Sequence, residues 1–539
     1  MSNTISRKQN SSKSALSALL RCIIKIVLQF LLRSVFILYL CVEYLGINSA
    51  IAGVLNLLSV TELGIGSVIT FHLYKPVAQN DIAKTNSILR LYKKIYLIIG
   101  FVILAIGLCI VPFLDHLVAD IQNIDINIYY VYILALLGTV STYFCSYRDV
   151  LFIAYQQQYK ANLLNTILSV ITIAVQAIII LVFKNYYVFL YAQTFSAIFI
   201  NVITYFYSKK VYPQVSIKDA EVLDKDTKKE VFKNVKGMFY HKLSYSVLQG
   251  TDSIIISTFI GATILGLYSN YSLFTVNLSS AFCLMITAFT GSIGNLIAEN
   301  NSEKSYSVYK ILKMAFFWLS GFFAISLFIL LGPAINLWAN IGNWDTSINW
   351  TFDTFTTLII CINFFLYTSR CITGVFRETI GNFHKDRFKG IAEAIINVVA
   401  SLLLVKPLGI AGVLLGTIIS CVLTSLWVDP YMIYKYHFKK PLWKHFVDIG
   451  IYFLITALAG FATFMLCSLI SGSGIAVLLI KFLICLLVPN LIYLLTLMPT
   501  KEFKGAILMA KDLFKRLKHK KNTVNEDSDQ TISQKEPEE

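Results

Sequence analysis

Charged side chains interrupt the long apolar stretches of this sequence, and their chemistry gives the first indication of function. An ionised group is costly inside hydrocarbon, so it normally faces a polar cavity or an opposite charge. The first apolar stretch carries Arg21, Lys25, Gln29 and Arg33 at steps of four residues. This spacing places them along one slowly winding stripe of a helix. A guanidinium donates two coplanar hydrogen bonds, so the stripe suits a phosphate-bearing anion.

Further basic and polar residues recur in later apolar stretches. The other candidates for an anion-binding cavity are Arg148, His241, Lys242, Gln249, Arg370 and Arg377. For Arg21, Lys25, His241 and Lys242, snorkelling to the inner headgroups is the alternative. Arg148 and Arg377 have acidic neighbours, so a structural ion pair is the alternative for both.

Acidic residues inside apolar stretches are candidates for binding a coupling cation or for balancing charge. They are Glu62, Asp149, Asp252 and Glu393. Asp252 lies deepest in its predicted helix, where it could bind a proton or a sodium ion. It could equally be the counter-ion of Arg33 or Arg370. The need to neutralise a cationic cavity favours this ion pair.

The composition is that of a protein with many membrane spans. The chain of 539 residues is 56% hydrophobic and only 14% charged, with a mean hydropathy of +0.68. A soluble protein does not need so much apolar surface. The ten Cys stand singly in apolar stretches, without the spacing of a zinc site or a disulfide framework. We therefore expect no metal site and no cofactor, apart from a proton or sodium ion as a coupling ion.

Apolar runs long enough to cross the bilayer predict an all-α fold with about fourteen transmembrane helices. The predicted spans are 20–42, 47–73, 92–114, 128–155, 161–183, 186–207, 236–260, 263–290, 308–332, 353–376, 388–406, 408–434, 446–470 and 475–498. The division between the eleventh and twelfth spans depends on Pro407 and Gly409.

The chain also resembles itself. Tyr44–Ser49 returns as Ile264–Ser269, and Tyr147–Asp149 returns as Phe376–Glu378. A repeat of this size in an apolar chain is typical of two homologous bundles with a pathway between them, as in transporters. We therefore predict two homologous six-helix lobes followed by a C-terminal helix pair.

The distribution of Lys and Arg predicts the orientation in the membrane. With the N-terminus in the cytoplasm, the predicted inward segments contain 38 of the 46 Lys and Arg residues, and the predicted outward loops contain only Lys184 and Lys406. This follows the positive-inside rule. The net charge of +16 therefore reflects membrane topology. Because the basic residues are dispersed over separate loops, we expect no nucleic-acid partner.

These observations predict the organisation of the whole chain. The segments are a cytoplasmic N-terminal tail at 1–18, an N-lobe at 19–207, a cytoplasmic linker at 208–235, a C-lobe at 236–436, helices 13 and 14 at 437–498, and a cytoplasmic amphipathic helix and disordered tail at 499–539. The amphipathic helix has an apolar face and a basic face, which is typical of a helix on anionic lipid.

Several motifs resemble the Wzx-type polysaccharide flippases. They are Glu43–Gly46, Glu62–Gly66, Thr251–Ser257, Gly266–Tyr271 and Gly409–Val413, the last leading to Asp429-Pro430. This family belongs to the superfamily of the MATE exporters and the lipid II flippases. Many of its members are described with twelve helices, whereas fourteen is nearer the lipid II flippase arrangement.

The resemblance implies a function and a location. The protein would be a flippase of the bacterial plasma membrane, with both termini in the cytoplasm. It would move oligosaccharide units linked to undecaprenyl diphosphate from the inner to the outer leaflet. Its partners would be this lipid-linked oligosaccharide, membrane lipid, and the polymerase and chain-length proteins of the same pathway.

Three other classes of function compete with this one. A flippase for lipid II or for a teichoic-type precursor needs the same cationic cavity, so the charge pattern leaves it open. A MATE-type drug exporter moves cations and should favour acidic cavity groups. A membrane polysaccharide polymerase usually needs a large outer loop with catalytic residues, and no predicted outer loop contains a nucleophile with a base. The sequence thus predicts a transporter and not an enzyme.

Topology gives the first testable prediction. Residues 208–235 and the tail after Thr500 should face the cytoplasm, while Asn340–Trp350 should face outward, because Lys and Arg are retained inside. Single cysteines placed in each segment of a cysteine-free variant can be labelled on intact cells with an impermeant thiol reagent. Only those in Asn340–Trp350 should react. Labelling of the 208–235 segment from outside would show that the orientation is inverted.

Overall fold

The computed structural model contains helices as its only regular elements within the part of the chain that it describes. The described residues are 2–59, 65–119, 124–218, 220–299, 301–380, 386, 388–472, 474–509 and 511, without the side chains of 2–12, 15, 234, 236–246, 248, 249, 288 and 298. The prediction of an all-α fold is confirmed.

Sixteen α-helices follow one another along the described chain. They are α1 (Ser2–Tyr39), α2 (Val42–Leu58), α3 (Ile65–Ala78), α4 (Ile82–Ile110), α5 (Ile128–Cys145), α6 (Val150–Ala154), α7 (Gln158–Phe183), α8 (Tyr186–Val211), α9 (Lys225–Phe259), α10 (Ala262–Ala298), α11 (Ser302–Ile341), α12 (Thr354–Ile380), α13 (Lys389–Leu423), α14 (Ser425–Ile433), α15 (Trp443–Ser468) and α16 (Ile475–Leu497). Short 3₁₀ turns follow α4 and α5, and a π-helical turn at Tyr434–Phe438 follows α14.

Most of these helices can cross a membrane. Among the described residues, ten helical segments are long and apolar enough to do so, or eleven if the bent pair Ala262–Thr287 and Phe289–Ile297 is one span. The chain is therefore a multi-pass membrane protein, as predicted. The count of fourteen stays a prediction. One difference lies at the second predicted span, 47–73, which corresponds to two shorter helices, α2 and α3.

The predicted division between spans eleven and twelve is confirmed at Gly409. Its backbone leaves the helical region, with φ +57° and ψ −136°. Beyond it the chain reverses. Gly412 lies against the carbonyl of Leu404, and Lys389 donates to both carboxylate oxygens of Asp429 at 2.7 Å. These residues lie on opposite sides of Gly409 in the chain, so they can be in contact only if the helical segments before and after Gly409 run antiparallel. The helix α13 is therefore a helical hairpin.

The chain divides into two compact units. The first unit contains residues 1–289, 331–366 and 381–429, and the second contains residues 290–330, 367–380 and 430–539. In the first unit, α1 packs on α7, α5 on α8, and α9 on both α2 and α13. In the second unit, α15 and α16 pack on each other.

Two glycines allow an unusually close approach between α2 and α10 in the first unit. A Cβ atom on Gly46 would lie 1.8 Å from the carbonyl oxygen of Ala262. A Cβ atom on Gly266 would lie 2.3 Å from the carbonyl oxygen of Val42. Gly46 and Gly266 occupy equivalent positions in the sequence repeat, and so do Val42 and Ala262. The close contact therefore follows the register of the repeat. Small residues permit such contacts between membrane helices.

The segment after α16 packs on α11 in the second unit. Residues 501–509 are helical, and the ring of Phe503 stacks on Trp318 with centroids 6.2 Å apart. Glu502 forms an ion pair with Lys310. Burial raises the pKa of Glu502, but the hydrogen bond from Lys310, a backbone hydrogen bond and the charges of Lys310 and Lys313 together outweigh it, so the pKa is lowered. One side of this predicted amphipathic helix thus contacts the protein. Its contact with lipid stays a prediction, and residues 512–539 lie outside the described chain.

The glycine contact gives a stability prediction. Gly46→Ala and Gly266→Ala should each lower the thermal unfolding temperature of the purified protein, because the added methyl meets partner backbone. Overpacking of this kind costs about 1–3 kcal/mol. Gly374→Ala on α12 is the matched control, since no atom lies within 4 Å of its Cβ position. It should be neutral or slightly stabilising. Equal unfolding temperatures for all three variants would contradict the close contact.

Candidate substrate cavity and coupling site

A polar cavity of about 790 Å³ lies within the first unit. Its walls come from α1, α3, α4, α5, α6, α7, α8 and the turn after α5. The lining residues are Arg21, Gly66, Ser67, Thr70, Tyr74, Tyr92, Tyr96, Thr142, Ser146, Asp149, Val150, Ile153, Asn165, Ile200, Asn201 and Thr204. All of them belong to the region predicted as the N-lobe, and most are polar.

Arg21 and Asp149 are the two charged residues among these lining residues. The Arg21 guanidinium donates to Asn162 Oδ1 at 3.4 Å, and its remaining N–H groups donate to no described residue. The Oδ1 atom of Asp149 is buried and accepts no hydrogen bond from the described chain. The two opposite charges attract each other but form no direct ion pair among the described residues. Both side chains therefore retain hydrogen-bonding capacity for a bound molecule.

The neutral lining residues supply hydroxyl groups, amides and aromatic rings. Tyr92 and Tyr96 lie side by side, with ring centroids 4.3 Å apart. Asn201 donates to the hydroxyl of Thr142 at 3.2 Å, and Thr204 donates to Asn165 Oδ1 at 3.3 Å. Groups of this kind can hydrogen-bond sugar hydroxyls, and tyrosine rings can pack on the apolar faces of sugars.

Arg33 lies on the same helix as Arg21 but contacts a different part of the first unit. One of its nitrogens donates to Ser269 Oγ at 2.6 Å and to Asn270 Oδ1 at 3.1 Å. Both partners are neutral residues of α10, and Arg33 forms no ion pair with a described residue. The Asn270 side chain is fully buried, and its amide nitrogen donates to no described acceptor. The cation and the amide donor together favour an anionic ligand.

Arg148 has a different environment from the one predicted. It is buried, and its guanidinium donates to the carbonyl oxygens of Val215 at 3.2 Å and Tyr212 at 3.3 Å. Tyr212 caps the C-terminus of α8. Carbonyl groups at a helix end lack intrahelical partners, and a guanidinium satisfies them well. Arg148 therefore fixes the start of the linker and does not line the cavity.

The other predicted basic residues are spread over both units. Lys25 is exposed and Gln29 is half-buried, and neither is among the residues that line the cavity. In the second unit, Arg370 lies over the ring of Tyr367 at 6.0 Å, and Arg377 lies in the last turn of α12. The side chains of His241, Lys242 and Gln249, and the whole of Glu62, lie outside the described residues.

Asp252 lies in a small polar cluster of the first unit. Its Oδ2 atom accepts a hydrogen bond from Thr417 at 3.0 Å, whereas its buried Oδ1 atom has no partner in the described chain. Asn397 donates to the Thr417 hydroxyl at 2.9 Å, and Thr251 donates to Asn397 Oδ1 at 3.2 Å. Asp252 forms no ion pair with a described residue, so the expected pairing with Arg33 is not present. One carboxylate among hydroxyl and amide oxygens suits a proton or a hard monovalent cation.

Glu393 lies on the α13 hairpin, which also contains Asn397 and Thr417 of this cluster. It is buried and accepts a hydrogen bond from Ser425 at 2.8 Å. Its partner is on the opposite side of the hairpin, next to the Lys389–Asp429 ion pair. The contact is consistent with a structural role for Glu393 in holding the hairpin.

The neutral residues of the cavity and of the cluster around Asp252 were not predicted from the sequence. In the cavity these include Thr70, Tyr92, Asn165 and Asn201, and around Asp252 they include Asn397 and Thr417. A signal was available, because Tyr92 and Tyr96 are one helical turn apart, as are Asn201 and Thr204. Polar groups that recur along one face of an apolar helix indicate a wet or hydrogen-bonded interior.

Comparison with known proteins agrees with the predicted family. The family model described as polysaccharide biosynthesis protein matches residues 11–290. The chain belongs to this family. No protein of curated function matches the sequence significantly.

The fold is similar to that of solved membrane transporters. One is an inward-facing multidrug resistance MATE family transporter of the MOP superfamily, with a TM-score of 0.60 and 14% identity, covering 78% of this chain and 98% of that one. Another is the lipid II flippase MurJ in an inward closed conformation, with a TM-score of 0.63 and 13% identity, covering 90% and 98%. A mutant Vibrio cholerae MATE transporter gives a TM-score of 0.56 at 13% identity, covering 82% and 99%. At these identities the similarity establishes the fold, which is the one predicted.

Proposed function

We propose that this protein is a flippase that moves oligosaccharide units linked to a polyprenyl diphosphate across the bacterial plasma membrane. The observation that carries the proposal is the cavity with Arg21 in its wall, lined mostly by polar residues on helices of a polysaccharide biosynthesis family member. Transport would proceed by alternating access, as in other folds built from repeats. Both termini would lie in the cytoplasm, and the polymerase and chain-length proteins of the pathway would receive the product.

The physical need for such a cavity is clear from the cargo. A diphosphate with attached sugars carries charge and many hydroxyl groups, which cannot enter hydrocarbon without replacement of their hydration. A volume of about 790 Å³ lies within the usual range of about 300–1,000 Å³ for small-molecule sites. The cavity therefore suits the diphosphate and the adjoining sugar, while the polyprenyl chain stays in lipid.

The charges support an anionic cargo. Arg21 in the cavity and Arg33 against α10 both have donors that the described protein does not use fully. In the cavity Arg21 would repel a drug cation while Asp149 would attract it, so the argument against a MATE-type exporter rests on the second cation, Arg33, and on membership of the polysaccharide family. A lipid II or teichoic-type precursor shares the diphosphate or phosphate chemistry. Membership of the polysaccharide family favours the lipid-linked oligosaccharide over these alternatives.

We further propose that Asp252 couples transport to a proton or sodium gradient. Its carboxylate has one unused oxygen, and it lies beside the hydroxyl of Thr417 and the amide of Asn397. No described cation neutralises it. A proton or a sodium ion bound there would satisfy the carboxylate. Binding that differs between two conformations would then link the ion gradient to the direction of transport.

Substitution of Arg21 tests the proposed cargo. Arg21→Ala should lower the export of lipid-linked glycan about 10- to 100-fold, because hydrogen bonds to a charged group contribute about 1.5–3 kcal/mol. Arg21→Lys should recover part of the export, since the charge remains without the bidentate fork. Export is measured as labelled surface glycan per unit of membrane-inserted protein.

Lys25→Ala is the matched control for this experiment. Lys25 lies one helical turn from Arg21 but is exposed and does not line the cavity. Its removal should leave export nearly unchanged. If Arg21→Ala exports glycan at the wild-type rate with normal abundance, the cavity does not bind the diphosphate.

Substitution of Asp252 tests the coupling. Asp252→Asn should keep the protein abundant in the membrane, because no described cation is left without a counter-ion and Thr417 can still donate. The same variant should no longer respond to an imposed proton or sodium gradient. Transport is followed in vesicles with and without each gradient. Wild-type transport that ignores both gradients would refute the coupling role, and loss of the variant from the membrane would instead indicate a structural ion pair.

A further inference from the structure

The second unit contains a buried ionisable cluster that the proposed function does not use. The Lys313 side chain of α11 is 0% exposed and donates to Asp448 Oδ2 of α15 at 2.7 Å. His445 lies one helical turn before Asp448 and is 1% exposed. Its Nδ1 atom is 3.4 Å from the hydroxyl of Tyr309, and its buried Nε2 atom has no hydrogen-bond partner in the described chain. The cluster thus combines an ion pair with an imidazole nitrogen that is available for a proton.

A hydrogen-bonded connection extends from this imidazole to a third helix. The Tyr309 hydroxyl is 3.1 Å from Thr373 Oγ1 on α12. The Lys313 ammonium also lies over the rings of Tyr309 and Tyr452, at 5.5 Å and 6.0 Å. The hydroxyl can donate to one neighbour while it accepts from the other, so the tautomer of His445 is linked to the orientation of Tyr309.

The groups around His445 come from every element that packs against it in the described chain. Tyr309 and Lys313 on α11 and Tyr434 in the π-helical turn lie around the imidazole. The groups around Lys313 are Lys310 on α11, Asp448 and Tyr452 on α15, and Glu502 after α16. The contact from α12 is the neutral Thr373, through Tyr309. Lys313 repels a second positive charge on the imidazole.

A purely structural role explains only part of this arrangement. A buried ion pair is a weak source of stability compared with well-packed apolar residues of the same volume. A buried nitrogen without a partner adds a further cost. Both features are instead useful where protonation must change the free energy of a contact, because the energy of each group depends strongly on its charge.

We propose that His445, beside the Lys313–Asp448 ion pair, is a proton-binding site, and that its occupancy controls the docking of α15 on α11. The ligand is the proton itself. Its positive charge is repelled by the ammonium group of Lys313, which stays charged. The site is separate from Asp252, and the proposal does not depend on the identity of the transported molecule.

The direction of the effect follows from the charges. A proton on His445 places a second cation near the buried Lys313. This change favours an arrangement in which the two cations reach water, so acid should weaken the α11–α15 contact. By linkage, the undocked arrangement must bind protons more tightly than the docked one.

A distance measurement between α11 and α15 tests the proposal on the full chain. Spin labels are attached through noncanonical amino acids at Ser307 and Trp443, which are both exposed, so the native cysteines remain. Pulsed electron resonance on protein in lipid nanodiscs then gives the distance from pH 8 to pH 5. We expect one short component at pH 8. A second component, longer by about 5 Å or more, the scale of one helical turn, should grow on acidification.

Three variants define the site. Asp448→Asn removes the counter-ion of the buried Lys313 and should show the longer component already at pH 8. The triple variant Lys313→Met, Asp448→Leu, His445→Gln leaves no charge to expose and should give a pH-independent short distance. His437→Gln is the matched control for another partly buried histidine of the second unit and should keep the wild-type response.

The wild-type titration decides the proposal even if a variant fails to fold. A wild-type distance that does not change between pH 8 and pH 5 would overturn it. So would a pH response that survives in the triple variant, or one that His437→Gln removes.

Discussion

The close approach of α2 and α10 is the contact on which the described architecture of the first unit depends. Gly46 and Gly266 bring each helix against the backbone of the other, and the two contacts occupy equivalent positions in the sequence repeat. Any side chain larger than hydrogen would force the helices apart. The sequence repeat therefore appears in the structure as two equivalent contacts, in which a glycine of each helix lies against the backbone of the other. In a membrane, where apolar attraction between helices is weak, such contacts give dispersion energy that bulky interfaces cannot supply.

The same hydrocarbon environment explains how the polar groups are arranged. Arg148 satisfies two carbonyl groups at a helix end, and Lys313 pairs with Asp448, so both buried cations have partners. Arg21, Asp149 and Asp252 instead retain unused donors or acceptors. Because a bilayer strongly disfavours polar groups without partners, these unused atoms are candidates for contact with a ligand or water at two separate sites, the cavity and the cluster around Asp252.

The sequence predicted the features that depend on local pattern. Apolar runs predicted the helices, and Gly409 predicted the break that forms the α13 hairpin, because only a residue without a side chain readily adopts its backbone angles. Partners distant in the chain could not be predicted. Asp252 contacts Thr417, and Arg33 contacts Ser269. These contacts join residues far apart in the chain, and no periodic pattern in the sequence indicates which distant residues are neighbours. The i+4 stripe on α1 likewise could not distinguish Arg21, which faces the cavity, from Lys25, which does not.

The most direct test of the account is transbilayer movement of the cargo by the purified protein. Vesicles would contain a polyprenyl-diphosphate oligosaccharide, and an impermeant lectin or glycosidase would report the fraction exposed in the outer leaflet. The protein should make the initially protected fraction accessible, while protein-free vesicles should not. It should not move a lipophilic drug cation. Drug movement without movement of the lipid-linked glycan would contradict the central claim.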